Sequence, residues 1–257
     1  MSRLWVFAQD LVEPGLRNLS TEEARHVASR RLRVGDELAV FDGRGRTASA
    51  RLVCVARKAV QIEVDGIELA PPPSSDFGLA TAIPKGERLS TMLQMWTQLG
   101  LEAWQPLICE DSAVRKLDIG SARLQRILIE ACKVARRPWA LRVLEPLAFA
   151  DFLERRDQRR PLYYGDREGD QEGDGVVDRG EARAGLRSGF ASGAGWVLIG
   201  PEAGFSASEI ATLRRLDATA LSFGEYNLRI ETAAVAAVAA YNQFAVSRVK
   251  ETHDVVG

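Results

Sequence analysis

The sequence predicts two successive folds: a small β-barrel over residues 1–70, then an α/β domain over 77–257 built on a mostly parallel sheet. Three observations lead there. The first seventy residues run as short β-rich segments with one helix among them. The stretch APPPSSD at 70–76 sets three consecutive prolines before two serines. It can continue neither sheet nor helix, so 71–76 reads as a linker. Beyond it, apolar strands alternate with helices, the texture of a parallel sheet covered on both faces.

In the first part the expected strands are LWVFA at 4–8, DELAVF at 36–41, ASARLVCVA at 48–56 and VQIEV at 60–64. The turn DGRG at 42–45 joins two of them as a hairpin. Ser20, with Glu23 three residues later, reads as a capping box opening the helix EEARHVASRRL. In the second part FGLATAI at 77–83 is a strand and 86–100 an amphipathic helix. Leu89, Met92, Leu93, Trp96 and Leu99 share its spacing, and Gly100 stops it. A strand at 104–109, a helix at 121–136, a strand at 140–145 and a helix at 148–156 follow. PLYYG, WVLIG and TALSF are the remaining strands. Between the first two of these, residues 165–181 hold five Gly, seven acids and two Arg, which suits a surface loop. The spacing is not that of an EF-hand.

Composition removes several functions. Cys54, Cys109 and Cys132 are widely spaced without a CxxC, and His26 and His253 are the two histidines, which argues against metal sites and disulfides. The N-terminal MSRLWVFAQD lacks a signal-peptide pattern and no run reaches membrane-span length, so a cytoplasmic protein is expected. The 34 basic and 35 acidic side chains nearly cancel. Without 165–181, however, 32 basic residues face 28 acidic ones, so near-neutrality does not exclude nucleic acid. Only five of the basic residues are Lys; the rest are Arg, whose planar fork suits phosphate.

Two strand ends concentrate the chemistry. In WVLIGPEAGFSASEI, 196–210, an apolar strand runs into Gly200-Pro201-Glu202, and Ser206 with Glu209 reads as a second capping box. Ligands bind beyond the carboxyl ends of strands in open α/β sheets, and Gly200 permits close approach to backbone. In ALSFGEYNLRIETAAVAAVAAYNQFAVS, 220–247, a strand leads through Gly224 into a long Ala/Val-rich helix, with Asn227, Arg229, Glu231 and Thr232 at its start. The uncharged run 233–240 reads as a core or subunit-contact helix. Neither loop is a GxGxxG or a P-loop.

GPEAGF followed by LSFGEYNLRIETA resembles two signature loops of the SPOUT class of S-adenosylmethionine methyltransferases, and within it the RsmE family, which methylates N3 of a uridine in 16S ribosomal RNA. The resemblance covers nearly the whole chain. HVASRRLRVGDELAVFDGRG, 26–45, is similar to that family's PUA-like barrel, and TAIPKGERLSTMLQMWTQLG, 81–100, to its first strand and helix. The resemblance implies a trefoil-knotted sheet, a homodimer with 233–246 as the candidate contact, and S-adenosylmethionine as cofactor. The implied cofactor residues are Ile199, Gly200, Pro201, Glu202, Leu221, Ser222, Phe223, Gly224, Asn227 and Leu228. At two polar positions of the family's RILRTETA, the first Arg and the first Thr, this chain has Tyr226 and Ile230. It also carries Ala131-Cys132-Lys133-Val134-Ala135-Arg136-Arg137 where a Glu-Gln-containing stretch is usual.

The implied reaction has uracil N3 attack the sulfonium methyl. Arg229 is expected to stabilise negative charge on the flanking carbonyl oxygens, and Glu202 or Glu231 to accept the proton. Arg25, Arg30, Arg31, Arg33, Arg44, Arg46, Arg136 and Arg137 form the expected RNA contacts to 16S rRNA or the small subunit. Two other readings stay open: a SPOUT ribose 2′-O-methyltransferase, and a non-catalytic RNA-binding module.

Overall fold

The computed structural model describes residues 3–56, 59–73, 76–166 and 194–254. The acidic loop read at 165–181 lies outside the described residues from 167 onward. The chain forms two compact units. One comprises the chain up to Pro73 together with Arg126–Ala140; the other comprises Ser74–Gln125 and everything from Leu141.

The first unit holds β1 (Leu4–Phe7), β2 (Gly15–Asn18), α1 (Thr21–Ser29), β3 (Glu37–Phe41), β4 (Arg46–Ala56) and β5 (Ala59–Leu69). Its sheet has the order β1-β3-β4-β5-β2, with β1 parallel to β3 and the other ladders antiparallel. The alternation seen in the sequence decides which face is inside. Ala48, Ala50 and Leu52 on β4 and Val60, Ile62 and Val64 on β5 all point into one core with Val6, Val27 and Val40. β2 is not visible in the sequence, because GLRN has a single large apolar side chain. It exists through pairing with β5, Gly15 opposite Val64 and Asn18 opposite Gln61, and no local pattern records such a long-range ladder.

The second unit contains β6 (Asp76–Ala82), α2 (Glu87–Gln98), β7 (Ala103–Ile108), the start of α3 (Ala122–Ala135), β8 (Arg142–Val143), β9 (Leu147–Ala148) and α4 (Phe149–Arg155). β10 (Leu162–Gly165), β11 (Ala194–Ile199), α5 (Ala207–Arg215), β12 (Thr219–Leu221) and α6 (Ile230–Asp254) complete it. The sheet runs β12-β10-β11-β6-β7-β8, with β9 also on β7, and every ladder is parallel. The strand expected at 140–145 shrinks to two residues. Beyond it the Gln105 side chain donates to the Glu145 carbonyl at 2.7 Å, taking the place of a ladder bond before β9 resumes the pairing.

Leu107, Tyr164 and Leu198 of the sheet pack with Phe152 and Leu153 of α4 and Leu213 of α5. On α2, Met92, Leu93 and Trp96 are buried, and Trp96 lies against Trp104 with ring centroids 5.4 Å apart. Helix α6 buries Ile230, Ala234, Ala237 and Val238, stacks Tyr241 on Phe77 at 4.2 Å, and donates from Asn242 Nδ2 to the Leu99 carbonyl at 2.5 Å. Small alanines let this helix lie close to the sheet.

Residues 126–140, which the linker position assigns to the second domain, cluster with the first unit. A buried charge pair accounts for their attachment. Lys133 Nζ contacts Glu23 at a very short separation and Glu130 at 2.6 Å, with the Lys133 and Glu23 side chains almost fully buried. Burial pushes the Glu23 carboxyl up, and Lys133 only partly draws it back. Burial alone would lower Lys133, but its hydrogen bonds and charge contacts with Glu130 and Glu23 outweigh that and hold it above its ordinary value.

The capping box read at Ser20 is therefore half-formed. Ser20 Oγ accepts from the Glu23 backbone at 3.2 Å, but the Glu23 carboxylate turns to Lys133 instead of reaching back to the cap. A buried ammonium needs its counter-charge more than an exposed helix end needs a second bond.

Replacing Lys133 by Met is expected to cost about 3–5 kcal/mol in urea denaturation, because it strands the Glu23 carboxylate. The double variant Glu23→Gln/Lys133→Met should recover most of that loss. Equal destabilisation of the single and double variants would show that packing, not charge, sets the cost.

Candidate functional site

Three neighbouring parallel strands end together. β10 lies between β12 and β11, so the loops after β11 and β12, far apart in sequence, flank the end of β10. Asp166 N–H donates to the Leu221 carbonyl at 3.0 Å, which carries the β10–β12 ladder one residue past the strands. A Cβ on Gly165 would come within 2.9 Å of Ile199 Cδ1 and 3.5 Å of Phe223 Cε2. Glycine here leaves the Ile199 side chain free to lie across the end of β10.

Beyond these strand ends lies a cavity of about 370 Å³, within the range of about 300–1,000 Å³ typical of small-molecule sites. All ten residues expected to hold a cofactor line it: Ile199 to Glu202, Leu221 to Gly224, Asn227 and Leu228. Gly165, Asp166, Phe205, Tyr226 and Ile230 also line it and were not singled out as ligands from sequence. Gly165 and Asp166 sit at the start of the acidic stretch, where a surface-loop reading hides them.

Apolar walls of Ile199, Leu221, Phe223 and Leu228 alternate with backbone groups of the two loops and the side chains of Glu202, Ser222 and Asn227. That mixture suits a flat heteroaromatic ring with a polar tail.

Hydrogen bonds hold each loop. The capping box at Ser206 is complete: its hydroxyl accepts from Glu209 N at 3.3 Å, and its own N–H donates to Glu209 Oε2 at 2.9 Å. Glu209 Oε1 also accepts from Glu110 N at 2.9 Å, tying the loop to the end of β7. On the other side, Ser222 Oγ donates to the Gly224 carbonyl at 3.0 Å. Arg88, in the first turn of α2, pairs with Glu202 at 3.4 Å. Nothing in the spacing of residues 88 and 202 could have announced that contact.

Of the three expected catalytic residues only Glu202 lines the cavity. Arg229 is exposed just before α6, and Glu231 is half-buried in its first turn, with Oε2 shielded from solvent and lacking a hydrogen-bond partner. Helical rotation explains the separation. Ile230 and Ala233, three residues apart, share the cavity face, and Glu231 is turned about 100° away. Neither buried thiol offers a nucleophile near neutral pH. Desolvation, with Glu209 nearby, pushes Cys109 up to about 12, and desolvation pushes Cys132 to about 11.

All eight arginines expected to meet RNA fall in the first unit, including Arg136 and Arg137. Arg25, Arg30, Arg31, Arg33, Arg44 and Arg136 are exposed; Arg46 is half-buried and pairs with Asp42 at 3.3 Å. Arg31 and Arg136 stand just past the ends of α1 and α3 with φ of 56° and 52°, positions that usually favour glycine. Each places a cation where a helix dipole is negative.

A family model described as an RNA methyltransferase domain matches residues 71–242. The chain belongs to the RNA methyltransferase family. A second model, an RNA methyltransferase PUA domain, matches residues 19–65 within the first unit.

Among curated relatives, the chain is 31% identical over 156 residues to the ribosomal RNA small subunit methyltransferase E of Synechocystis, covering 60% of this chain and 50% of that protein. It is 27% identical over 210 residues to the protein of the same name from Rickettsia conorii, covering 81% of each. A Legionella pneumophila protein described as a methyltransferase and solved with bound S-adenosylmethionine superposes with a TM-score of 0.74. The identity is 26%, with 95% of this chain and 98% of that one covered.

Two substitutions test the cavity wall. A Cβ at Gly200 would lie 3.1 Å from Phe205 N and 3.2 Å from Gly204 C, whereas one at Gly224 meets only Leu228 side-chain atoms, no nearer than 3.6 Å. Gly200→Ala should therefore displace the 201–205 loop and lower thermal stability measurably, and Gly224→Ala should stay within about 0.5 kcal/mol of the parent. A separate expectation concerns the helix ends. Arg31→Gly should raise stability by up to about 1 kcal/mol by relieving its left-handed backbone, while weakening RNA binding in a filter assay.

Proposed function

We propose that this chain methylates N3 of a specific uridine in 16S ribosomal RNA, with S-adenosylmethionine as methyl donor. The observation that supports this most directly is the convergence of the 199–205 and 221–228 loops on one cavity, within a chain of the RNA methyltransferase family. The names of its relatives support the substrate.

The residues present fit the cofactor. The apolar walls would take the adenine, the backbone of the two glycine-containing loops would pair with its polar edge, and Ser222 and Asn227 remain for the ribose and amino-acid portions. Bound there, S-adenosylmethionine supplies an electrophilic methyl group on a sulfonium centre. The chain's own task is to bring the uracil into line and to stabilise its departing proton and growing charge. Alignment by a rigid site is the larger contribution. Arg229, exposed beside the cavity-lining Leu228, is the cation that would face the carbonyl oxygens flanking N3. Glu202, which lines the cavity together with Asp166, is the carboxylate that would accept the N3 proton directly or through water. Its pairing with Arg88 is partly exposed, so it restrains the carboxylate without removing it from use. Glu231 would act on the first turn of α6 and not on the base.

The same reading includes the trefoil-knotted course of the second domain, a cytoplasmic location and a homodimer. The uncharged run 233–240 and the 43% exposed Met95 on the adjoining α2 support a partner on that side.

Small subunits lacking the modification, incubated with the protein and labelled cofactor, should yield N3-methyluridine on mass spectrometry of nuclease digests. A 2′-O-methylated nucleoside would replace this reading with a ribose methyltransferase. RNA binding without any cofactor binding would replace it with a binding module. Arg229→Ala should lower the single-turnover rate at least tenfold with cofactor affinity unchanged; an unaltered rate removes Arg229 from the chemistry.

A further inference from the structure

We infer that Tyr226 is the platform on which the target base stacks once it leaves the RNA. This rests on the methyltransferase reading above and names a recognition element for it. Tyr226 lines the cavity, yet 77% of its surface is open to solvent, the largest fraction among the large exposed hydrophobic residues described. The other two aromatic rings of the cavity are engaged inward. Phe205 packs with Phe149 and Tyr164, at centroid distances of 5.6 and 6.3 Å, and Phe223 is half-buried beside Gly165. Among the described ring pairs Tyr226 has no aromatic partner.

The loop that carries it is short and restrained. It runs from the end of β12 to the start of α6 at Ile230, and the Ser222–Gly224 hydrogen bond closes its first turn. An open aromatic side chain is thus held at the mouth of a polar-and-apolar cavity, with most of its surface exposed.

Uracil N3 lies on the pairing edge and is inaccessible within a stacked helix, so the nucleotide must be turned out. A base that has lost its stacking neighbours gains most from a flat π-face, and aromatic stacking tolerates any base identity. Tyrosine supplies that face at low entropic cost, since it has few rotatable bonds to order. Specificity for uracil would then come from groups at its edge, with Tyr226 setting the plane in which that edge is presented.

The test uses the full-length protein and a synthetic RNA fragment spanning the uridine mapped in the wild-type product, made with uridine or with an abasic residue at that position. Tyr226→Ala is expected to lower kcat/KM for RNA by about 5- to 100-fold, mainly through KM, and to leave cofactor affinity unchanged. Tyr226→Phe and Tyr226→Trp should stay within about threefold of the parent, because the face and not the hydroxyl does the work. The abasic RNA provides the decisive comparison: Tyr226→Ala should bind it as well as the parent does.

An equal loss of affinity on uridine and abasic RNA would show that Tyr226 meets the RNA backbone and overturn the inference. A shift of Tyr226→Ala toward monomer in sedimentation would assign the ring to a second copy of the chain, with the same consequence. Failure of the parent protein to methylate any uridine would remove the functional reading first, and the inference with it.

Discussion

The spacing of three parallel strands governs the cavity, and through it everything the second unit can do. β10 sits between β11 and β12, and its last residue, Gly165, lies against the side chains of Ile199 and Phe223. A larger residue there would first press on the end of the Ile199 side chain, which lines the cavity, and so change the wall between the two loops. The capping box at Ser206 and the bond from Glu110 to Glu209 hold one of them, and the Ser222–Gly224 bond holds the other. These contacts are individually modest, about 1 kcal/mol each, but they act on segments whose ends the sheet already holds. The result is a site shaped largely by backbone, in which side chains such as Glu202 and Asn227 refine the chemistry.

The first unit solves a different problem. A five-stranded sheet with one short helix buries a modest apolar core. The 126–140 segment returns to that unit with a buried Lys133–Glu23 contact and with Trp139, whose Nε1 donates to the Pro71 carbonyl at 3.0 Å. A buried ion pair adds little net stability against a well-packed apolar alternative, but it tolerates no shift in position. Its effect is therefore to fix where the segment sits. It also brings Arg136 and Arg137 into the unit that already carries the other six arginines expected to meet RNA.

Much of the site was legible because its parts are local. Gly200-Pro201-Glu202 and Leu221 to Gly224 follow strands recognisable from their apolar runs, and a strand's carboxyl end is a place where ligands gather. The Ser206–Glu209 box was readable for the same reason, since both partners lie within one turn. The Ser20–Glu23 pattern is identical on paper and formed only half the box. What separated the two was a lysine 110 residues away from Glu23, which no window around that helix could include. Arg229 and Glu231 failed to join Glu202 at the cavity because a helix begins between them, and one residue of helical rotation separates side chains that are neighbours in sequence.

Apart from β2 and β9, the sequence by itself determined the order of strands and helices, the break near the prolines, and the two loops that line the cavity. Each of these depends on periodicity, turn chemistry or a short motif. Tertiary structure alone decided that β10 would part those loops, that Gly165 and Asp166 would form the floor between them, and that Arg88 would reach Glu202. It also decided that Tyr226 would stand open at the mouth while Phe205 turned inward. The reason is physical: a parallel sheet pairs strands that are distant in the chain, so strand neighbours and the contacts at their ends are settled only when the whole sheet closes.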